Sequence, residues 1–176
     1  DRIYGADGSF NGISQQNASL GYVSWQNGMI LRTFDAQNQN PNFSFILNEL
    51  DGDADFEVDD AVWFINPFYV NPADGNQVYY VTQERVWRTT NAGDNWTPMS
   101  QAQNSDLYAC GISNDTNPTI YYGGEAGQFF RVDNALTASP GDEIDLSGTV
   151  PQDVDNSFIG EITVDPNDPS IIMVAF

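Results

Sequence analysis

The amino-acid sequence predicts an all-β fold made of repeated four-stranded antiparallel sheets. Turn-forming residues recur at short intervals, with 15 Gly and 9 Pro in 176 residues. No long stretch has apolar residues at the i, i+3, i+4, i+7 spacing of a helix, and short strand-like segments return in a fixed order. An apolar fraction of 40%, including 13% aromatic residues, is enough for a packed core.

A five-residue pattern, R-x-x-[DN]-A, occurs three times, beginning at Arg32, Arg88 and Arg131. Each copy follows a short apolar run, and each run follows a segment typical of a β-strand. These segments are LGYVSW at 20–25, QVYYV at 77–81 and TIYYG at 119–123, and a fourth, SIIMVAF, occupies 170–176. The repeated order predicts that the three arginines lie at equivalent places in successive sheets.

Turns rich in Pro, Asn and Asp precede the last three of these segments, and they begin at Val70, Ile112 and Val164. Their starting points are 42 and 52 residues apart. A period of this size with four short strands in each unit is typical of β-propeller blades. A single blade cannot bury both of its faces, so neighbouring blades must pack on one another.

Each unit is predicted to contain four strands in the same order. Strand one lies near 10–14, 62–70, 107–113 and 158–164, and strand two is the tyrosine-rich segment. Strand three ends at the repeated arginine, and strand four is least defined, with Trp96–Met99 its clearest example. Residues 1–176 are therefore expected to form a segment of one β-propeller domain, with blades at approximately 8–50, 60–100, 105–150 and 156–176.

The last of these units is predicted to be incomplete, which gives about three and a half blades where propellers close with four to eight. The fourth unit is expected to lack its third and fourth strands. An open blade would expose apolar surface, so we expect a longer polypeptide or a partner to cover it.

The segment from Thr89 to Trp96, TTNAGDNW, resembles the Asp-box, [ST]-x-[DN]-x-G-x-[TN]-W. This motif belongs to the BNR-like propeller repeats of sialidases, sortilin-type receptors, xyloglucan-degrading glycosidases and secreted bacterial proteins. The other two copies lack the Gly and the Trp. The resemblance implies a propeller fold without specifying a function.

The residue types of this box predict a structural role. A short Asn91 side chain accepts hydrogen bonds from nearby amides, Gly93 permits a positive φ, and Trp96 packs into the blade. The three repeated arginines are likewise interpreted as structural, because they recur at one position in three successive units.

The charge balance excludes several classes of function. The net charge of −20 comes from 25 acidic residues against 5 arginines, with no Lys and no His. Nucleic acid and anionic membrane surfaces are therefore poor partners. Imidazole bases, Schiff-base lysines and histidine-bound metals are absent. The single Cys110 lies in an apolar run and is interpreted as a core thiol.

The clearest candidate site is the acidic run DGDADFEVDD at 51–60. Its carboxylates are candidate Ca²⁺ ligands, because alternating acidic residues begin many calcium loops. The run departs from the EF-hand pattern, and a solvated acidic loop between blades is the alternative. The ligands would be Asp51, Asp53, Asp55, Glu57 and Asp59, and Ca²⁺ is the one cofactor considered.

Two functions are weighed: a non-catalytic binding or scaffold propeller, and a glycoside hydrolase acting on a neutral polysaccharide. The first is expected, since every recurring motif has a structural purpose. Sialidase activity is not expected, because the repeated arginines leave too few for a carboxylate-binding cluster. Trp25, Trp63 and Trp87 could stack on sugars, although each is predicted to lie in a strand and to pack between blades.

The expected partner is a protein or glycan ligand, or the rest of a longer chain. No membrane insertion is expected. The repeats are typical of secreted or cell-surface proteins of bacteria.

Overall fold

The computed structural model describes residues 10–47, 60–65, 67–150 and 158–176. The first sheet contains β1 (Asn11–Ile13), β2 (Gly21–Ser24), β3 (Ile30–Thr33) and β4 (Ser44–Leu47). The second contains β5 (Phe68–Val70), β6 (Val78–Val81), β7 (Val86–Thr89) and β8 (Thr97–Pro98). The third contains β9 (Leu107–Ile112), β10 (Ile120–Gly124), β11 (Phe129–Val132) and β12 (Ile144–Asp145), and the fourth pairs β13 (Glu161–Asp165) with β14 (Asp168–Ala175).

Every sheet is an antiparallel meander in which each strand pairs with the next strand along the chain. The first strands of successive sheets contact one another, so the sheets follow each other as blades. The structure thus confirms the all-β fold with four-stranded antiparallel blades. In the described part of the chain, the fourth blade consists of its first two strands.

The repeated arginines occupy the same register in three blades. Arg32 pairs with Tyr22, Arg88 with Tyr79, and Arg131 with Tyr121. The alanine that ends each R-x-x-[DN]-A segment is also equivalent, because its amide donates to a carbonyl in the turn between strands one and two. These bonds join Ala36 to Ser19 (2.9 Å), Ala92 to Asn76 (2.8 Å) and Ala135 to Pro118 (2.9 Å).

The tyrosine pairs explain how blades stack. Adjacent strand residues point to opposite faces of a sheet, so a Tyr-Tyr pair places one ring on each face. Tyr80 joins the core shared with the first blade, whereas Tyr79 joins the core shared with the third. Tyr122 and Tyr121 repeat this arrangement one blade later. Each fully buried large apolar side chain contributes about 1.5–3 kcal/mol, so the strength of the fold lies between blades.

Polar bonds supplement this packing and run from one blade to the next. The Tyr22 hydroxyl donates to the carbonyl of Gly75 at 2.8 Å, and the Tyr121 hydroxyl donates to that of Pro169 at 3.0 Å. Both acceptors belong to the following blade: Gly75 lies in the turn between strands one and two, and Pro169 lies near the start of strand two. Tyr79, at the equivalent position of the second blade, instead donates to Gln77 Oε1 of its own blade at 3.5 Å, so this contact forms at two of the joints.

The turn between β7 and β8 has the hydrogen bonds predicted for it. The Asn95 amide donates to Asn91 Oδ1 at 3.0 Å, and the Gly93 amide donates to Thr89 Oγ1 at 2.9 Å. Gly93 has a φ of +99°, which a residue with a side chain rarely adopts. The Trp96 indole donates to the carbonyl of Ile46 at 3.2 Å, so it packs against the preceding blade as well as its own.

The outward face of β14 carries exposed apolar side chains, with Ile171 55% and Met173 75% exposed. Their neighbours Ile172 and Val174 point the other way and pack on the core shared with the third blade. No helix in the described ranges is long and apolar enough to cross a membrane.

Candidate ligand-binding face

Alternating strand directions give the blades two distinct ends. One end, here called the turn face, carries the turns between strands one and two and between strands three and four. The other end, here called the linker face, carries the turns between strands two and three and the links between blades. The described residues of the linker face are 25–29, 60–65, 82–85, 99–106, 125–128, 146–150 and 158–160.

The turn face is held together by the repeated arginines. Arg32 Nη1 donates to the carbonyl of Ala92 at 2.8 Å, and Arg88 donates to the equivalent carbonyl of Ala135. Each guanidinium thus binds the turn of the next blade, as expected of a structural residue. Arg131 instead forms an ion pair within its own blade, with 2.6 Å between its Nη2 and Asp133 Oδ2.

The linker face carries three aromatic side chains in contact, here called the aromatic row: Trp63, Tyr108 and Phe158. The rings of Trp63 and Tyr108 stack with centroids 4.5 Å apart, and those of Tyr108 and Phe158 lie 4.4 Å apart. The three residues come from the second, third and fourth blades, at or just before their first strands. Phe158 is 44% exposed, and Phe64 beside Trp63 is 56% exposed. Exposed aromatic clusters of this kind often mark binding surfaces.

Main-chain contacts hold the segment that carries Trp63. Gln83 binds it twice, through its amide to the carbonyl of Ala61 (2.9 Å) and through Nε2 to that of Val62 (3.2 Å). The Trp63 indole donates to the carbonyl of Leu107 at 2.9 Å, which ties it to the third blade. The ring is therefore positioned before any ligand arrives. Contrary to the sequence prediction, Trp63 lies outside a strand, because this segment pairs with a turn.

Two carboxylates lie beside the central ring of the row. The Tyr108 hydroxyl donates to Glu125 Oε1 at 3.1 Å, and Asp106 also interacts with it. The Glu125 amide donates to the carbonyl of Asp106 at 2.8 Å, which keeps these two residues together. Removal from water, reinforced by both carboxylates, raises the pKa of Tyr108 to about 12. The phenol therefore stays a hydrogen-bond donor at physiological pH.

A buried carboxylate, Asp60, neutralises Arg85 on the same face. Asp60 is 6% exposed, and its Oδ1 lies 2.9 Å from Arg85 Nε. Its Oδ2 accepts hydrogen bonds from the Trp87 indole at 2.7 Å and from the Thr82 hydroxyl at 2.9 Å. Arg85 is the arginine that the described residues contribute to the linker face. Because Asp60 already neutralises it, its charge does not balance those of Glu125 and Asp106.

The other predicted tryptophans have different surroundings. Trp87 is 8% exposed and packs in a strand as expected. The prediction that Trp25 lies in a strand is wrong: it follows the end of β2 and contacts Phe45 of β4, with ring centroids 5.6 Å apart. Cys110 is fully buried, and burial raises the pKa of its thiol well above the usual range, so it stays protonated.

The predicted calcium ligands Asp51, Asp53, Asp55, Glu57 and Asp59 lie outside the described residues, and calcium stays a prediction. Within the described ranges, no three His, Cys, Asp or Glu side chains lie together as metal ligands. A separate acidic segment, residues 142–145, lies in the third blade, where the Glu143 carboxylate accepts hydrogen bonds from the amides of Gln101 and Gly141, both at 2.8 Å.

No protein-family model matches the sequence, and no curated protein does. Solved structures do resemble the fold. A GH74 xyloglucanase from Xanthomonas campestris matches with a TM-score of 0.63 and 14% identity over 93% of this chain and 26% of its own. An auxiliary nutrient binding protein from Bacteroides thetaiotaomicron gives 0.61 and 11% over 94% and 35%. YCF48 bound to D1 peptide gives 0.52 and 13% over 92% and 44%.

These likenesses show the fold alone, which is that of β-propeller proteins. The chain spans less than half the length of each of these three proteins. The described blades therefore correspond to part of a propeller.

Proposed function

We propose that the chain is a non-catalytic binding or scaffold segment of a larger secreted or cell-surface protein. Its ligand, a protein or a glycan, contacts the aromatic row on the linker face. The observation that carries the proposal is the position of this row, which lies across three blades with Phe158 exposed and with Trp63 and Tyr108 half-buried. Exposed aromatic groups held in place bind ligands at a small entropic cost.

The distribution of polar groups supports a binding role. Arg32 and Arg88 donate hydrogen bonds to carbonyls of the next blade, and Arg85 is neutralised by Asp60. Among proteins of similar fold, one is a nutrient binding protein and another is bound to a peptide. The box at Thr89–Trp96 supports placing the chain among divergent Asp-box propellers of secreted bacterial proteins.

Binding can be tested with two phenylalanines of matched exposure. Phe158 is 44% exposed and belongs to the row, whereas Phe45 is 43% exposed and lies on β4, the outermost strand of the first blade. The protein is screened against neutral polysaccharides and peptides, and Phe158→Ala is expected to weaken binding while Phe45→Ala does not. Equal binding by both variants would contradict the proposed site.

A glycoside hydrolase acting on a neutral polysaccharide is the second candidate. Two similar folds belong to GH74 enzymes, and the Asp106 and Glu125 carboxylates lie beside the row. Glycosidases use such carboxylate pairs as acid and base or nucleophile. Turnover of a polysaccharide that disappears in Asp106→Asn and Glu125→Gln would establish this function in place of binding.

The acidic run is retained as a proposed calcium site, with Asp51, Asp53, Asp55, Glu57 and Asp59 as ligands. Alternating carboxylates are the hard oxygen ligands that Ca²⁺ prefers. Calorimetric titration with Ca²⁺ tests the proposal, and replacement of Asp53 and Asp55 by Asn is expected to abolish the binding heat. No heat at millimolar Ca²⁺ would exclude the site.

A further inference from the structure

We propose that the aromatic row, together with Asp106 and Glu125, is a docking site for a basic peptide segment that carries lysine or arginine. This inference rests on the proposed binding function and names the ligand class. The cationic side chain would lie against the aromatic rings with its charge near the two carboxylates. The backbone of the segment would follow the row from blade to blade.

Charge complementarity favours a cation over other ligands. The chain carries a net charge of −20, and the Arg85 guanidinium on this face is paired with Asp60 and lies 3.9 Å from Glu84 Oε2. Glu125 is exposed next to the row. An anionic ligand would be repelled here, whereas a basic segment would be attracted and its association accelerated.

The rings supply a second attraction that a cation can use. Lysine and arginine cations are drawn to the negative face of an aromatic ring, most strongly to tryptophan. Trp63 and Phe158 lie at the two ends of the row, on either side of Tyr108. The Tyr108 hydroxyl donates a hydrogen bond to Glu125 and so holds that carboxylate beside the rings.

The dimensions of the row fit an extended peptide. Neighbouring ring centroids are 4.5 and 4.4 Å apart, so the whole row is at most about 9 Å long, which about three residues of extended chain cover at about 3.3 Å per residue. One segment can therefore contact all three blades at once. A neutral glycan would also stack on the rings and donate hydroxyl hydrogen bonds to the carboxylates, but it carries no positive charge for them to attract.

The test is a calorimetric titration of the full chain with three short peptides of one length. The first contains alternating Lys, Arg and Gly, the second replaces Lys and Arg with the neutral isosteres norleucine and citrulline, and the third replaces them with Glu. We expect the first alone to bind, with an affinity that falls as salt is raised. Binding of the neutral peptide as tightly as the basic one would overturn the proposal.

Variants locate the binding site. Glu125→Gln and Asp106→Asn are each expected to weaken the basic peptide about threefold, and the double variant about tenfold. Asp168→Asn is the matched control, because it changes the net charge equally but lies at the turn face, where its carboxylate caps Ser170. Equal weakening by the control would mean that only overall charge matters, and would overturn the site.

A neutral oligosaccharide serves as the fourth probe and separates this inference from the proposed function. If it binds at the row and loses affinity in Phe158→Ala while the basic peptide does not bind, the binding function stands and the peptide proposal fails. If none of the four probes binds, both fail. Circular dichroism and urea unfolding of each variant establish that the blades remain folded.

Discussion

Replacement of Arg88 by methionine should weaken the contact between the second and third blades. Arg88 Nη1 donates to the carbonyl of Ala135 and, at 2.8 Å, to that of Ala138. Both acceptors belong to the third blade, in the turn that follows β11. Methionine keeps the apolar stem of the side chain and removes only the guanidinium, so the change isolates the polar contacts.

The expected cost follows from the burial of these contacts. A hydrogen bond from a charged donor contributes about 1.5–3 kcal/mol, and loss of the donor leaves two carbonyls without this partner. Burial lowers the pKa of the Arg88 guanidinium, so desolvation of the charge offsets part of the gain. We therefore expect Arg88→Met to lower the free energy of unfolding by about 2–4 kcal/mol.

Arg131→Met is the matched control, because Arg131 occupies the same register in the next blade. Its guanidinium pairs with Asp133 within one hairpin, and the two side chains are 38% and 39% exposed. Solvent-exposed ion pairs contribute about 0–1 kcal/mol, so this variant should lose no more than that. Urea unfolding followed by tryptophan fluorescence measures both, and equal losses would refute the interpretation of Arg88 as a joint between blades.

The repeated part of the fold could be predicted because repetition identifies equivalent residues. The three arginines share one position in the sequence repeat, and in the structure they share one position in the strand register, each opposite a tyrosine. The tyrosine pairs were recognisable as strands because residues buried on both faces read as an apolar run. Strand four was poorly defined because it is short, with two residues in β8 and β12.

The aromatic row could not be predicted, because its members come from three blades and no local pattern links them. Trp63 was assigned to a strand because it lies in an apolar run, VWFI, yet this segment binds Gln83 instead of a neighbouring strand. A signal did exist in β9, where Leu107 and Ala109 are buried and Tyr108 between them is not. Such alternation shows which side chain leaves the core, but not what it meets.

The buried pair of Asp60 and Arg85 escaped prediction for a similar reason. Asp60 ends an acidic run and looked like one more surface carboxylate. Its burial depends on contacts with Trp87 and Arg85. These residues follow β5 and β6 in the chain and reach Asp60 only once those strands have formed. Sequence reasoning can nominate a charge, but the fold decides whether that charge is solvated.

Three further predictions concern stability. Gly93→Ala should cost about 2–4 kcal/mol in urea unfolding, because φ is +99° and a Cβ would lie 2.5 Å from Ile46 Cδ1; Gly148→Ala, with nothing within 4 Å, should be neutral. Asp60→Asn should cost about 2–4 kcal/mol, since it leaves Arg85 without its counter-ion, and an unchanged urea midpoint would contradict this. The last prediction is that stability falls as the pH rises past 10. Burial raises the pKa of several tyrosines above the ordinary value of 10.0, so the folded state keeps protons that the unfolded state releases: Tyr22, Tyr69, Tyr79, Tyr108 and Tyr122. Their contribution is complete below pH 10 and is lost as the pH climbs towards their folded pKa values. Tyrosinate absorbance should therefore appear together with unfolding. Titration of all the tyrosines near pH 10 in a protein that stays folded would show that these hydroxyls are not buried as described.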